Sequence, residues 1–351
     1  MLKKKGQALV PAVAVLFLLA AAACGPKQPA LVAPSDVPKG PIPLFSALTP
    51  ESDLAVHLKP ETLFDVPLVQ LGLDILKGEV AENAGLSLED MKAQFGFDPI
   101  YDITEAFVTN RGEAFKDDIV ILVRYGQEAD LVAAVARVYA AIKHLPDPSS
   151  MRHGEIKGRK AVIMEEGGYA AVQVDPMTVA ILKATEAEAK AWLEQMSRKN
   201  DNRTAIAKHL ARLAGNEAFA EREPCIALYM DFTHTDYVSE LEGTIDSEGM
   251  TIGAVQAAVA RDVLVVAEAV YGNEEAAKKF AAELGKLFDS PPGALAFLRE
   301  MFTQLKQGLK VETVESVVAV ELTVPEQVLD TVYVILKMLL DVGQGMGAGV
   351  E

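Results

Sequence analysis

Aromatic residues are scarce in this chain, with one Trp and 6% Phe, Trp and Tyr together. No stacking platform for sugars or bases is therefore expected. Positive charge is scarce too: 33 Lys and Arg stand against 50 Asp and Glu, a net charge of −17. That balance disfavours nucleic acid and anionic lipid headgroups as surface partners. The uncharged run from Ala8 to Ala23 is sixteen residues, short of the ~20 that span a bilayer. Four catalytic signatures are missing as well: the G-x-S-x-G elbow, S-x-x-K, H-E-x-x-H and the G-x-x-x-x-G-K-[ST] phosphate loop. The glycines Gly343, Gly345, Gly347 and Gly349 alternate but follow an expected helix rather than a strand, so they make no dinucleotide loop. With half the residues apolar and 24% charged, there is ample material for a core and no sign of global disorder.

The N-terminus has an order of its own. Lys3, Lys4 and Lys5 precede the apolar run, which carries Pro11 near its start and ends in Ala21-Ala22-Ala23 before Cys24. A basic n-region, a short apolar core and small residues before a cut are what an export signal requires. Cys24 at that place resembles the lipobox of bacterial lipoproteins; the likeness covers residues 1–24 alone. It implies that the thiol of Cys24 is acylated and that the peptide is cut just before it. The family usually has Leu three residues before the cysteine, where this chain has Ala21 and carries Leu19 two places earlier. Ordinary secretory cleavage nearby and an uncleaved anchor are the alternatives. In the same family a non-acidic residue after the cysteine, here Gly25, is compatible with the outer membrane. Its periplasmic face or the cell surface is therefore expected over the inner membrane.

Loss of residues 1–23 would remove three lysines and no acid, leaving −20. If Cys24 is acylated, Cys225 stands alone and the core must stabilise the fold without a disulfide. Seven of the eighteen prolines fall between Pro26 and Pro50. Residues 24–50 are thus expected as an extended tether, at ~3.1 Å per residue.

Two stretches then read alike. SDLAVHLKPETLFDVPLVQ from Ser52 and PCIALYMDFTHTDYVSELE from Pro224 each suggest a short strand, a turn and a helix. After the first come a helical region from Leu86 to Phe95 and the strands YDITEAFVT and DDIVILVRY. A helix from Gln127 to Lys143 follows, then the strands KAVIMEE, YAAVQVD and MTVAILKA, and a helix from Glu186 to Met196. After the second come MTIGAVQAAVA and VLVVAEAVYG, then helices from Glu274 to Phe288 and Ala294 to Gln307. The hairpin LKVETVE–SVVAVELTV and a helix from Pro325 to Leu340 close it. Thr204 to Phe219 is the helix leading into that second half. These patterns predict an α+β fold of duplicated strand-hairpin-plus-helix units, antiparallel sheets with helices mainly on one face. The halves are expected at 51–200 and 201–341, with a disordered tail at 342–351.

Candidate sites are few. DFTHTD brings Asp231, His234 and Asp236 within six residues, a possible divalent-ion set. On a strand, however, Asp231 would point away from the other two, and at a helix start it would serve as a cap. These three remain weak candidates, and neither a metal nor another cofactor is expected. TIDSEGMTIGAV, Thr244 to Val255, fails as a calcium loop at both ends and reads as a hairpin turn. Cys225 opens a strand-like run without basic neighbours and reads as a small buried hydrophobe.

The sequence thus points to a lipid-anchored, non-catalytic envelope protein. It would be held to the membrane by Cys24 and would bind or scaffold another envelope protein. A carrier of a lipid or other apolar ligand, held between sheet and helix layer, is the alternative. An enzyme of another class, with a site assembled from distant residues, is the second.

Overall fold

The described residues of this computed structural model are 44–49, 52–64, 66–67, 69–71, 73–74, 88–98, 100–110, 119–142, 151–165, 167–196, 201–233, 249–289, 299–334 and 337. The signal segment, the tether before residue 44 and the C-terminal tail lie outside them. The fold is α+β, and within each unit the neighbouring strands pair antiparallel. The chain divides into two compact units, Met1–Glu61 with Gly72–Ala205 and Thr62–Leu71 with Ile206–Glu351.

In the first unit the strands are β1 (Leu54–Leu58), β2 (Ile103–Asn110), β3 (Ile119–Tyr125), β4 (Arg152–Ile156), β5 (Arg159–Met164), β6 (Tyr169–Asp175) and β7 (Thr178–Lys183). Their order in the sheet is β1-β2-β3-β7-β6-β5-β4. Helix α1 (Leu88–Phe95) precedes β2, α2 (Leu131–Ile142) follows β3, and α3 (Glu186–Met196) follows β7. Helix α4 (Asp201–Ala214) runs across the boundary between the units.

The second unit repeats this plan in shorter form. Strands β8 (Ile226–Asp231), β9 (Met250–Val259) and β10 (Val263–Tyr271) form a meander, followed by helices α5 (Glu274–Asp289) and α6 (Arg299–Gln307). Strands β11 (Leu309–Val314) and β12 (Val317–Val324) then make a hairpin, and residues 326–334 are helical. The order is β8-β9-β10-β12-β11. In both units the last strand returns to lie beside the third, with Val123 opposite Val179 in one and Ala267 opposite Val320 in the other. The first unit spends four strands on that return and the second spends two.

The first sheet is covered on both faces. Helix α2 packs on β5, β6 and β7, and Leu131, Val135 and Val138 join Ile121, Val123, Val162 and Ile181 in one buried cluster. A 3-10 turn at Leu44–Ala47, the last part of the segment expected as tether, packs on β2 and β3. Trp192 of α3, 1% exposed, donates its Nε1–H to the Ala47 carbonyl at 3.3 Å. Double cover is why β3 and β7 read as nearly continuous apolar runs rather than alternating ones. Beside them lies a buried polar latch. The Asn110 side-chain oxygen accepts from the Asp53 and Leu54 amides at 3.1 and 3.0 Å, and Ser52 Oγ donates to the Asn110 carbonyl at 2.6 Å. Thr109 Oγ1 donates to the Leu54 carbonyl at 2.7 Å. Each of these groups would cost free energy if buried unpaired, and the latch fixes where β1 starts.

Two elements differ from the sequence expectation. Strand β4, Arg-His-Gly-Glu-Ile, exposes its first four residues and carries no alternation of apolar and polar side chains. It is a sheet edge held in register by the Lys157-Gly158 turn, whose φ values are +55° and +70°, as a tight two-residue hairpin demands. Helix α4 starts at Asp201 and stops at Ala214. Gly215 and Asn216 interrupt it, and the Asn216 side chain accepts from the Ala218 amide at 2.8 Å to start a separate 3-10 turn, Glu217–Phe219.

Candidate functional site

Of the residues singled out in the sequence, Cys24, His234 and Asp236 lie outside the described residues. Asp231, at the end of β8, accepts from the Thr233 amide at 2.9 Å and from its hydroxyl at 2.5 Å. That closes a turn at the end of the strand. No group of three or more metal-ligating side chains occurs among the described residues. Cys225 is 3% exposed, and its thiol lies 3.5 Å from the Ala257 carbonyl. It packs as a small core residue, as its place in the sequence suggests.

What the sequence did not suggest is a His–Glu–Arg arrangement in each unit. In the first, Glu105 of β2 lies between His57 of β1 and Arg124 of β3. Its Oε1 is 3.3 Å from His57 Nε2, and its Oε2 is bound by the Arg124 guanidinium. Arg124 Nε donates onward to Thr178 Oγ1 on β7 at 3.3 Å. The row therefore crosses four neighbouring strands. The His57 hydrogen bond, aided by the Arg124 charge, holds the Glu105 carboxyl below its usual range against the opposing effect of burial.

In the second unit, Glu268 of β10 meets His209 and Arg212 of α4. His209 Nε2 lies 3.2 Å from Glu268 Oε2, off the line a hydrogen bond needs, and the Arg212 guanidinium binds the same oxygen. Burial, reinforced by Arg212, pulls the His209 imidazole below its ordinary pKa although Glu268 opposes it. Tyr229 stands edge-on to His209 at 5.7 Å, and burial first, then Asp231, pushes its phenol up to about 12. Gln256 Nε2 donates to the Leu210 carbonyl at 2.6 Å and ties α4 to β9. In both units the acid is balanced by cationic or imidazole groups, as a half-buried charge inside a sheet requires.

The feature best suited to binding is apolar. Helix α5 packs on β10, β11 and β12 and against α6, yet only Ala277 of its sixteen residues is buried. Phe280, Leu284, Leu287 and Phe288 on α5, with Met301 and Leu305 on α6, are all half-buried. The buried cluster here contains Tyr271, Ala277 and Val318, with Phe280, Ala281, Val311 and Val320 packed at its margin. Val265 and Ala267 of β10 and Leu322 of β12 occupy the same sheet face by register and are likewise half-buried. Several large apolar side chains thus remain in partial contact with solvent on a layer whose counterpart under α2 is sealed.

Neither a family model nor a curated protein matches the chain. Among solved structures, the chain is similar to crystal form I of TP0453, with a TM-score of 0.41 and 10% identity over 84% of this chain and 97% of that one. Crystal form IV of TP0453 gives a TM-score of 0.39 and 8% identity over 83% and 96%.

Proposed function

We propose that this chain is a lipid-anchored, non-catalytic protein of a bacterial cell envelope that binds another envelope protein. The observation that carries the anchor is the order at the N-terminus: three lysines, a short apolar run, three alanines, Cys24 and a proline-rich segment. Gly25 favours an anchor at the outer membrane, on its periplasmic face or at the cell surface. The binding half of the reading draws on the half-buried apolar side chains of α5 and α6, the surface a partner could cover.

Metabolic labelling with an alkyne-bearing palmitate tests the anchor. Label incorporated by the native chain and lost in Cys24→Ala, together with release of that variant from the membrane fraction, is the expected result. Equal membrane retention of the variant would sink the anchor. A second reading is favoured by the place of the same side chains between helix and sheet, where a carrier would hold an acyl chain. Native mass spectrometry separates the two. A stoichiometric added mass that vanishes on denaturation identifies a carrier, and a bare polypeptide after incubation with envelope lipids leaves the protein partner.

A further inference from the structure

Strand β11 stands at the end of the strand order: β12 lies on one side, and no strand lies on the other among the described residues. A two-residue turn, Glu315-Ser316, closes the hairpin on the pair Val314–Val317, and the Thr323 amide donates to the Gly308 carbonyl at 3.0 Å. In an antiparallel ladder, hydrogen-bonded pairs alternate with non-bonded ones. The even-numbered residues of β11 therefore spend their backbone groups on β12, and Leu309, Val311 and Thr313 aim theirs at the open edge. Those outward groups have no partner among the described residues. The β11–β12 pairing has no bulge over six residues, β11 contains no proline, and Val314 is 65% exposed. Natural edges are usually guarded by charge, bulges or proline; β11 has neither bulge nor proline, and its two exposed charges, Lys310 and Glu312, are of opposite sign, so a partner can set one against the other. Edge strand β4 shows such guarding: Arg152 is bound to Glu186 of α3 and lies 3.4 Å from Glu165.

We infer that β11 is a self-association edge, pairing antiparallel with β11 of a second copy about a two-fold axis through Val311. This pairing does not depend on the anchor. In that register Leu309, Val311 and Thr313 face Thr313, Val311 and Leu309 of the other copy, so outward groups meet outward groups. On the other face, Lys310 stands opposite Glu312, Glu312 opposite Lys310, and Val314 over Gly308. Gly308 has no room for a larger side chain, because a Cβ would collide with the Thr323 carbonyl oxygen. Sliding by two residues along the edge sets Lys310 against Lys310 or Glu312 against Glu312, which like-charge repulsion disfavours. The axis through Val311 thus satisfies hydrogen-bond parity and charge together. Lys310 already pairs with Glu321 of β12 at 2.6 Å, while Glu312 has Ala319 opposite it and no ion pair among the described residues. The dimer would extend this into an alternating row of Glu321, Lys310 and Glu312.

The test is sedimentation velocity of the full-length chain in mild detergent over a wide concentration range. The native chain is expected to show a concentration-dependent dimer. Val311→Pro removes the N–H at the axis without touching the β11–β12 ladder and should leave a monomer with an unchanged far-UV spectrum. Glu312→Lys should weaken the dimer about tenfold through two like-charge contacts. Adding Lys310→Glu to it should restore association, because the repulsion this second change creates with Glu321 exists in monomer and dimer alike. A native chain that stays monomeric throughout would overturn the proposal. So would a dimer that Val311→Pro and Glu312→Lys both leave intact.

Discussion

Helices α2 and α5 hold the same place in the two units, each following the third strand of a meander and lying over the strands that come after it. On α2, Leu131, Ala134 and Val138 are fully buried, whereas on α5 only Ala277 is. The difference follows from sequence and topology together. Helix α2 is apolar on nearly every side, LVAAVARVYAAI, and has β5, β6 and β7 beneath it. Helix α5 carries Glu and Lys at the rhythm of a solvated face and covers a sheet whose return is two strands shorter. A duplicated plan can therefore yield one unit built for stability and another that keeps apolar surface in reserve.

The sharpest way to break this comparison is to truncate a large side chain in each unit. Trp192→Ala removes a fully buried indole and its hydrogen bond to Ala47, and should cost about 3–5 kcal/mol. Phe280→Ala on α5 removes a half-buried ring packed near Tyr271 at 5.4 Å, and should cost about 1–2 kcal/mol, since much of that ring already meets water. Because the chain divides into two compact units, a readout that resolves each unit is needed, and hydrogen exchange followed by mass spectrometry supplies it. Each variant should lower protection mainly in its own unit, Trp192→Ala by the larger amount. Equal losses would remove the contrast between the sealed and the half-covered layer.

How much of this was legible beforehand differs from element to element. The hairpins from β5 to β7 and from β9 to β12 are readable because apolar residues run between short turns, and turn chemistry locates the breaks. The polar strand β4 is not readable, because a guarded edge looks like a loop in sequence. The His–Glu–Arg rows escaped because their members come from separate strands 19 to 48 residues apart in the first unit. A usable signal was nonetheless present: Glu105, Arg124 and Glu268 each sit inside a strand of apolar neighbours, and a charge in such a place needs a partner. In the second unit, His209 and Arg212 lie three apart on α4, one face of a helix.

Acid separates the units more gently. Burial lowers the folded pKa of His209 below the ~6.5 of an unfolded chain. The unfolded state then binds the proton first, so the stability tied to a neutral His209 is present above ~6.5 and lost as pH falls through the folded value. Glu105 in the first unit is also lowered, but its unfolded reference is ~4.3. Its contribution is present above that value and lost as pH falls through the still lower folded pKa. Stepping from pH 7 to pH 5 should therefore reduce exchange protection around α4 and β10 while β2 and β3 hold theirs. His209→Gln should flatten the response of the second unit. A loss that begins in the first unit would contradict the assignment of the two groups.

The smallest expected difference concerns two arginines. Arg124 has 15% of its side chain exposed and serves both Glu105 and Thr178, whereas Arg222 has 36% exposed and grips Asp262 in the β9–β10 turn at 2.7 and 3.2 Å. The two carboxylates are about equally exposed, Glu105 at 25% and Asp262 at 27%, so the contrast rests on the arginines and on Arg124 serving two partners. Arg222→Ala should cost about 0.5–1 kcal/mol, less than Arg124→Ala, and Arg222→Lys should recover part of it, since Lys keeps the charge but loses the paired contact. Raising salt separates the mechanisms: added salt should shrink the Arg222 effect more than the Arg124 effect, because exposed charges are screened and half-buried ones much less. If both effects fell in parallel, the first row would be as open to solvent as the second-unit turn, and the contrast in burial between the units would not extend to their charges.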